Sequence, residues 1–457
     1  MRIAISILLL LHGVAHLVGF LGPWGFLPAP RPGMAPPPQT NVLFGGRVAL
    51  GDTMARALGI AWLVIAIAFA IVAFGLWRQA PWIRVAYATI VLTSLALTIA
   101  WWPLSRIGVL VNAVLILAPL VFGYQTYRAE MRDQQQRVLA GGSMVNTARG
   151  PIEYATLPIE YATLGEGVPV LVLHGTGGGW DQGLHAARGL VPRGFHLIAP
   201  SRFGYLRTPM PREASPEAEA DTWAAFLDAL GIERVPVISF SAGAAPALQF
   251  ALRHPDRVAS LTLVVPAAGG ILDTIAKGPP AFVMNVLLRF DLPMWLAMRA
   301  SPRTLSNLVA VPWPLADTLS GPGKAEYDET VGMLMPISMR RHGMAYDARS
   351  QSGILPLFPL EKITQPTLLV SAADDLYKTL RVARHAARLI PNARLLEFET
   401  GGHLLLGHEL DMWPAVAEFM HAEQPVPRAE SLMFEIPKGF GDQRKSLSMS
   451  GMDRSYP

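Results

Sequence analysis

Apolar positions are nearly continuous in four stretches, 3–21, 57–77, 85–102 and 107–127, and none of them carries Asp, Glu, Lys or Arg. Each is close to the roughly 20 residues that a helix needs to cross the hydrocarbon core. The pattern predicts an all-α domain of four transmembrane helices over residues 1–127. From about Glu130 onward charged and apolar residues mix, and short β-branched runs alternate with helical stretches, as in a mostly parallel sheet flanked by helices. The expected strands are 169–173, 196–199, 235–239, 261–265, 367–370 and 394–398. The expected helices are 217–230, 242–253 and 380–389, the first opened by Ser215 as cap and Pro216 as first helical residue.

Aromatic residues sit where the four spans would meet the membrane surface: Trp24, Trp77, Trp82, Trp101, Trp102, Tyr124 and Tyr127. A cleaved signal peptide competes for the first segment, because Arg2 precedes its apolar run and prolines crowd residues 23–38. Three further spans make a leader unnecessary. With four spans both chain ends share a side. Arg2, Arg78, Arg84, Arg128, Arg132 and Arg137 fall there, against Arg31, Arg47, Arg56 and Arg106 opposite. This bias places the second domain in the cytoplasm of a multi-pass cell-membrane protein. His12 and His16 lie on one face of the first span; a proton or metal role and plain interhelical hydrogen bonding both remain open.

Composition narrows the chemistry. The chain has no cysteine, which excludes disulfides, thiolate metal sites and a catalytic thiol. Its net charge of +4 is scattered, so no basic stripe suggests nucleic acid. No metal and no organic cofactor is implied. Residues 128–150, with Gln134, Gln135, Gln136, Gly141 and Gly142, read as a helix end running into a flexible tether. The seven residues PIEYATL then occur twice in tandem, as 151–157 and 158–164. One copy makes a first strand ending at the Gly165-Glu166-Gly167 turn. Pro158 would interrupt a central strand, so the duplication is expected at a sheet edge, with one copy dispensable. The second domain is assigned to 151–424 and a disordered tail to 425–457.

Three segments of that domain carry reactive residues. Val237 to Ala244 read V-I-S-F-S-A-G-A, a strand running into a helix through S-x-S-x-G, the nucleophile elbow with Ser239 in place of its first glycine. The turn is so sharp that only small residues fit two before and two after Ser241. Ala242 follows at the start of the helix, where its amide would face an oxyanion. Upstream, His174-Gly175-Thr176-Gly177-Gly178-Gly179 follows an apolar strand, and its glycines let amides approach a substrate, that of Thr176 above all. His174 is expected to shape the loop. Downstream, one strand empties into Ser371-Ala372-Ala373-Asp374-Asp375 and the last into Thr400-Gly401-Gly402-His403, both at the carboxyl edge of the sheet.

On these motifs the region from about Gly150 to Glu423 resembles the α/β-hydrolase superfamily, notably its lid-bearing esterases, meta-cleavage-product hydrolases and iminopeptidases. The resemblance implies an α/β-hydrolase fold with a helical lid over about 268–354. It also implies a triad of Ser241, Asp374 and His403, with Thr176 and Ala242 forming the oxyanion hole. In those families the acid lies three residues past a small residue at the strand end. Counting from Ser371 gives Asp374, with Asp375 as the fallback. The loop Pro200-Ser201-Arg202-Phe203-Gly204-Tyr205 departs from the family's Asp-x-Arg-Gly-x-Gly, which weakens transfer of any subfamily's substrate.

The expected partners are therefore a small-molecule acyl substrate and the lipid bilayer; oligomeric state is not written in the sequence. Met284, Phe290, Trp295, Met298, Trp313, Met333, Met335 and Met339 in the lid could line an apolar pocket, form lid core or rest on the bilayer. Beside a serine hydrolase of an ester, thioester, amide or C–C bond stand two rivals, a non-catalytic receptor on the same fold and a regulator of the membrane bundle.

Overall fold

The structure, a computed structural model, describes residues 2–27, 41–102, 104–148, 156–267, 289–350 and 358–422. The expected tail at 425–457 lies outside them, as do Met284, the lid stretches 268–288 and 351–354, and residues 151–155 of the first PIEYATL copy. The chain forms two compact units, Met1–Glu130 and Met131–Pro457.

The first unit contains helices α1 (Arg2–Leu21), α2 (Asp52–Trp77) and α3 (Ile83–Ala100), and the start of α4 (Arg106–Gly141). All four are long and apolar enough to cross a membrane. Helices α1 and α2 pack closely because small residues let them: a Cβ on Gly19 would come within 2.3 Å of the Trp62 ring. Leu9, Phe69 and Leu115 fill the interior. The two histidines serve the bundle's own hydrogen bonding. His16 Nδ1 donates to the His12 carbonyl at 2.8 Å, and the Nε2 atoms of His16 and His12 lie 2.9 and 3.3 Å from Ser94 Oγ.

The tether expected over 128–150 is corrected. Helix α4 continues to Gly141, and Ser143–Ala148 is a strand, β1. The segment 128–141 consists mainly of Arg, Gln and Ala with single Glu, Met and Leu residues, all good helix formers, which outweigh its polarity.

The second unit is an eight-stranded sheet. After β1 come β2 (Thr156–Leu164), β3 (Val168–Leu173), β4 (Phe195–Pro200), β5 (Val235–Phe240), β6 (Val258–Val264), β7 (Thr367–Ala372) and β8 (Ala393–Phe398). Their spatial order is β8-β7-β6-β5-β3-β4-β2-β1. From β4 to β8 all neighbours are parallel, and β2 joins β4 and β1 antiparallel. Parallel strands are covered on both faces and so read as unbroken apolar runs; β6 is buried at every position. Helices α5 (Trp180–Ala187), α6 (Pro216–Ala229) and α7 (Ala244–Arg253) precede the lid helices α8 (Asp291–Ala300), α9 (Pro302–Leu308), α10 (Trp313–Thr318), α11 (Gly321–Gly332) and α12 (Arg341–Ser350). Helices α13 (Thr379–Leu389) and α14 (Glu409–Ala422) follow. Ser215 caps α6 by accepting from the Ala218 amide at 3.1 Å.

The described part of the PIEYATL tandem does not lie at the sheet edge. β2 lies one strand in, and its last residues belong to the second copy. Pro158 is tolerated because β2 pairs with β4 only from Tyr161 onward, while Pro158 faces Asn146 on β1. Leu157 of the first copy is buried and its carbonyl accepts from Thr147 Oγ1 at 3.0 Å.

Candidate active site

Ser241 stands at the junction of β5 and α7 with φ of +48°, a left-handed conformation that costs a serine roughly 1–3 kcal/mol. The neighbours that make room for it are glycines. A Cβ on Gly243 would lie 2.6 Å from the Leu173 carbonyl oxygen, and one on Gly175 would lie 2.9 Å from Ser241 Cβ. The Ala267 amide donates to the Ser241 carbonyl at 3.0 Å and closes the turn. Helix α7 begins at Ala244, after a tight turn over Ser241–Gly243, slightly later than expected. Ser239 meets the size limit, but its buried hydroxyl has no partner among the described residues.

His403 is reached from β8 through Gly401 and Gly402, both at positive φ. Its Nδ1 donates to Asp375 Oδ2 at 2.8 Å, which leaves Nε2 as the unprotonated nitrogen. This corrects the expectation of Asp374. That residue instead accepts from the amides of Gly401 and Gly402 at 3.2 and 2.8 Å and so shapes the histidine's loop. The reason is the end of β7, which runs to Ala372 rather than Val370; three residues past that small residue is Asp375. Burial raises the Asp375 pKa, but the His403 imidazole and the hydrogen bonds from Thr379 and the Tyr377 amide outweigh it and hold the carboxyl below its ordinary value. A depressed carboxyl pKa stabilises the fold above the ordinary carboxylate range, and that contribution is lost as pH falls through the folded pKa. Tyr377, pushed up to about 12 by burial and by Asp375, stays a phenol; it meets the His403 ring edge-on at 5.0 Å.

Ser241 and His403 line one cavity of about 580 Å³ together with Gly175 and Thr176. No hydrogen bond joins Ser241 Oγ to His403 Nε2 among the described residues, and such bonds are often long before substrate binds. Ala242 is buried directly behind the serine. The lid contributes Met294, Leu308, Val309, Leu334, Ile337 and Met344 to the wall, and none of the described residues singled out from sequence. Of those, Trp295 and Met335 are buried, Met298 and Trp313 pack into the lid's own core, and Phe290 is exposed.

His174 shapes its loop as expected. Its Nδ1 donates to the Gly175 carbonyl at 2.7 Å and its Nε2 accepts from the Arg202 amide at 2.9 Å. Burial and the Arg202 charge push its pKa well down, so the ring is neutral. The unforeseen feature is Arg202. Its buried guanidinium donates to Glu219 on α6 at 2.9 and 3.2 Å and to Asp347 on α12 at 2.8 and 3.2 Å. Asp347 also accepts from Thr176 Oγ1 at 2.9 Å and from Tyr205 OH at 2.6 Å. A second buried arginine, Arg340 of the lid, donates to the Gly178 carbonyl at 2.7 Å and to Asp181 at 2.6 and 3.1 Å. The glycine loop is thus held from the lid side by two hydrogen bonds to charged side chains, Thr176 to Asp347 and Arg340 to Gly178. Arg202 shares its loop with Arg207, Arg212 and Glu213, so nothing in the local sequence singled it out.

His185, Glu326 and Glu329 have metal-ligand spacing, but Arg188 already donates to His185 Nδ1 at 2.8 Å and pairs with both glutamates. Two stability effects follow from this geometry. Arg202→Met strands two buried carboxyls and is expected to cost about 3–5 kcal/mol. Burial already pushes Glu219 up against the pull of Arg202, and a raised carboxyl favours the fold at low pH, so in urea melts the deficit should narrow as pH is lowered. Ser239→Ala removes an unpartnered buried hydroxyl and should stabilise by about 1 kcal/mol in the same measurement.

Comparison with known proteins agrees with this architecture. A family model described as the alpha/beta hydrolase fold matches residues 168–409, over half of the 457-residue chain. The chain is 28% identical over 274 residues to the uncharacterized hydrolase YcgS of Bacillus subtilis (strain 168), covering 57% of this chain and 91% of that one. It is 29% identical over 244 residues to the 2-hydroxymuconate semialdehyde hydrolase of Pseudomonas putida, covering 52% and 82%. It is 28% identical over 278 residues to the pimeloyl-[acyl-carrier protein] methyl ester esterase of Chromobacterium violaceum, covering 57% and 97%. With sheet order, elbow and family match in agreement, the chain belongs to the α/β-hydrolase fold family.

Proposed function

We propose that the protein is a membrane-anchored serine hydrolase that cleaves an ester of a small to medium apolar acyl group, with thioesters, amides and C–C bonds as chemical neighbours of that reaction. The observation that carries the reading is that His403, paired with Asp375, lines the same cavity as a serine held at positive φ. Similarity to a methyl ester esterase supports ester chemistry.

In this mechanism His403 Nε2 takes the Ser241 hydroxyl proton as Oγ attacks the carbonyl carbon. The amides of Thr176 and Ala242 hold the oxyanion. His403 then returns the proton to the leaving oxygen, the C–O bond breaks and an acyl-serine remains. Water, deprotonated by the same nitrogen, releases the acid. Asp375 fixes the imidazole tautomer and stabilises the imidazolium.

A fluorophosphonate probe should label the wild type and not Ser241→Ala; labelling that survives the substitution removes Ser241 from the mechanism. Asp375→Asn should lower kcat by about 10⁴-fold, whereas Asp374→Asn, which keeps an acceptor for the loop amides, should lose less than about tenfold. The reverse ranking would restore Asp374 as the acid. The four apolar helices are read as the anchor, so the full chain should stay with the membrane pellet after alkaline carbonate washing.

A further inference from the structure

The cavity shared by Ser241 and His403 has two characters. Its apolar part is built by lid residues such as Met294, Leu334, Ile337 and Met344, and Met294 and Ile337 are buried. A polar part is built where α5 and the residue after it face α11, by His185, Arg188, Glu326 and Thr330. The Arg188 and Glu326 side chains are 44% and 26% exposed, so the polar wall is the side open to water.

The wiring of that wall fixes what it offers. Arg188 donates to His185 Nδ1 at 2.8 Å, so the imidazole proton resides on Nε2. From there it is donated to Glu326 Oε1 at 3.0 Å or to Thr330 Oγ1 at 2.9 Å. Burial and the neighbouring Arg188 push the His185 pKa down, and the ring is neutral. The Thr330 hydroxyl keeps its own proton as a donor, and the Glu326 carboxylate keeps acceptor capacity. An anionic head group would meet Glu326 and Glu409, and a cationic one would have to displace Arg188 from Glu326, with which it is already paired. A plain alkyl group would cover hydroxyl and carboxylate without replacing their water, which is costly.

Building on the hydrolase reading, the geometry points to an amphiphilic substrate whose uncharged, hydroxyl-bearing head lies against Thr330 and Glu326 while its acyl chain fills the Met294 and Met344 side. Esters of glycerol or a similar polyol have that chemistry.

The test compares 1-monooctanoylglycerol, ethyl octanoate and octanoylcholine as substrates of the full chain in lipid nanodiscs. Wild type should favour the glyceryl over the ethyl ester in kcat/KM by roughly tenfold, and Glu326→Gln and Thr330→Val should each lower that ratio by a similar factor. The isosteric Thr330→Val carries the test if the glutamine variant fails to fold. A ratio that neither substitution moves, or a preference for the choline ester, overturns the head-group assignment. Phosphonate labelling of Ser241 without turnover of either the glyceryl or the ethyl ester overturns it too, and leaves the hydrolase reading standing. Absence of both labelling and turnover overturns the hydrolase reading itself.

Discussion

Arg202 carries a full positive charge into a place that water does not reach. Removing a charge from water costs several kcal/mol even after relaxation, and the cost is met only when the partners are close and well oriented. Here they come from separate parts of the chain, Glu219 from α6 and Asp347 from α12, and each must be delivered by a correctly packed helix. Asp347 extends the constraint to the glycine loop through Thr176 and Tyr205. The described α12 segment therefore behaves as part of the loop's foundation; lifting it away would separate a buried cation from its counter-ion.

That constraint is what makes a strained serine affordable. The left-handed turn at Ser241 depends on close approach by Gly175 and Gly243, and Gly175 begins the loop that Asp347 and Arg340 clamp. On the other side of the cavity the Asp375–His403 pair is braced by Tyr377, Thr379 and the loop amides that Asp374 accepts. The lid and the carboxyl edge of the sheet thus hold opposite walls of one chamber.

Much of this was legible in sequence for a physical reason. Strands covered on both faces must be apolar throughout, so β3, β5, β6 and β7 stood out, and the turn at Ser241 admits only small neighbours. The misses occurred where local pattern and tertiary context part. Two adjacent aspartates can be ranked only if the strand end is known, and β7 continues through Ser371 and Ala372, residues weak in strand propensity but buried. β1, Ser-Met-Val-Asn-Thr-Ala, has no alternation to announce it and exists because β2 offers a ladder. The lid's cavity wall was missed because its helices have apolar residues on several faces, and spacing does not tell which face looks inward. Arg202 and Asp347 lie 145 positions apart, beyond any local signal.

The place of β1 bears on how the catalytic half could be excised. The strand that borders the sheet is contributed by residues immediately after α4, ahead of the family-matched region. A fragment starting at Gly150 would leave the ladder groups of β2 from Thr156 to Glu160 without their β1 partner. Bare ladders of that kind recruit strands from other molecules. The soluble piece that looks natural from sequence would carry an adhesive margin, whereas one starting a few residues before Ser143 would keep its own selvage.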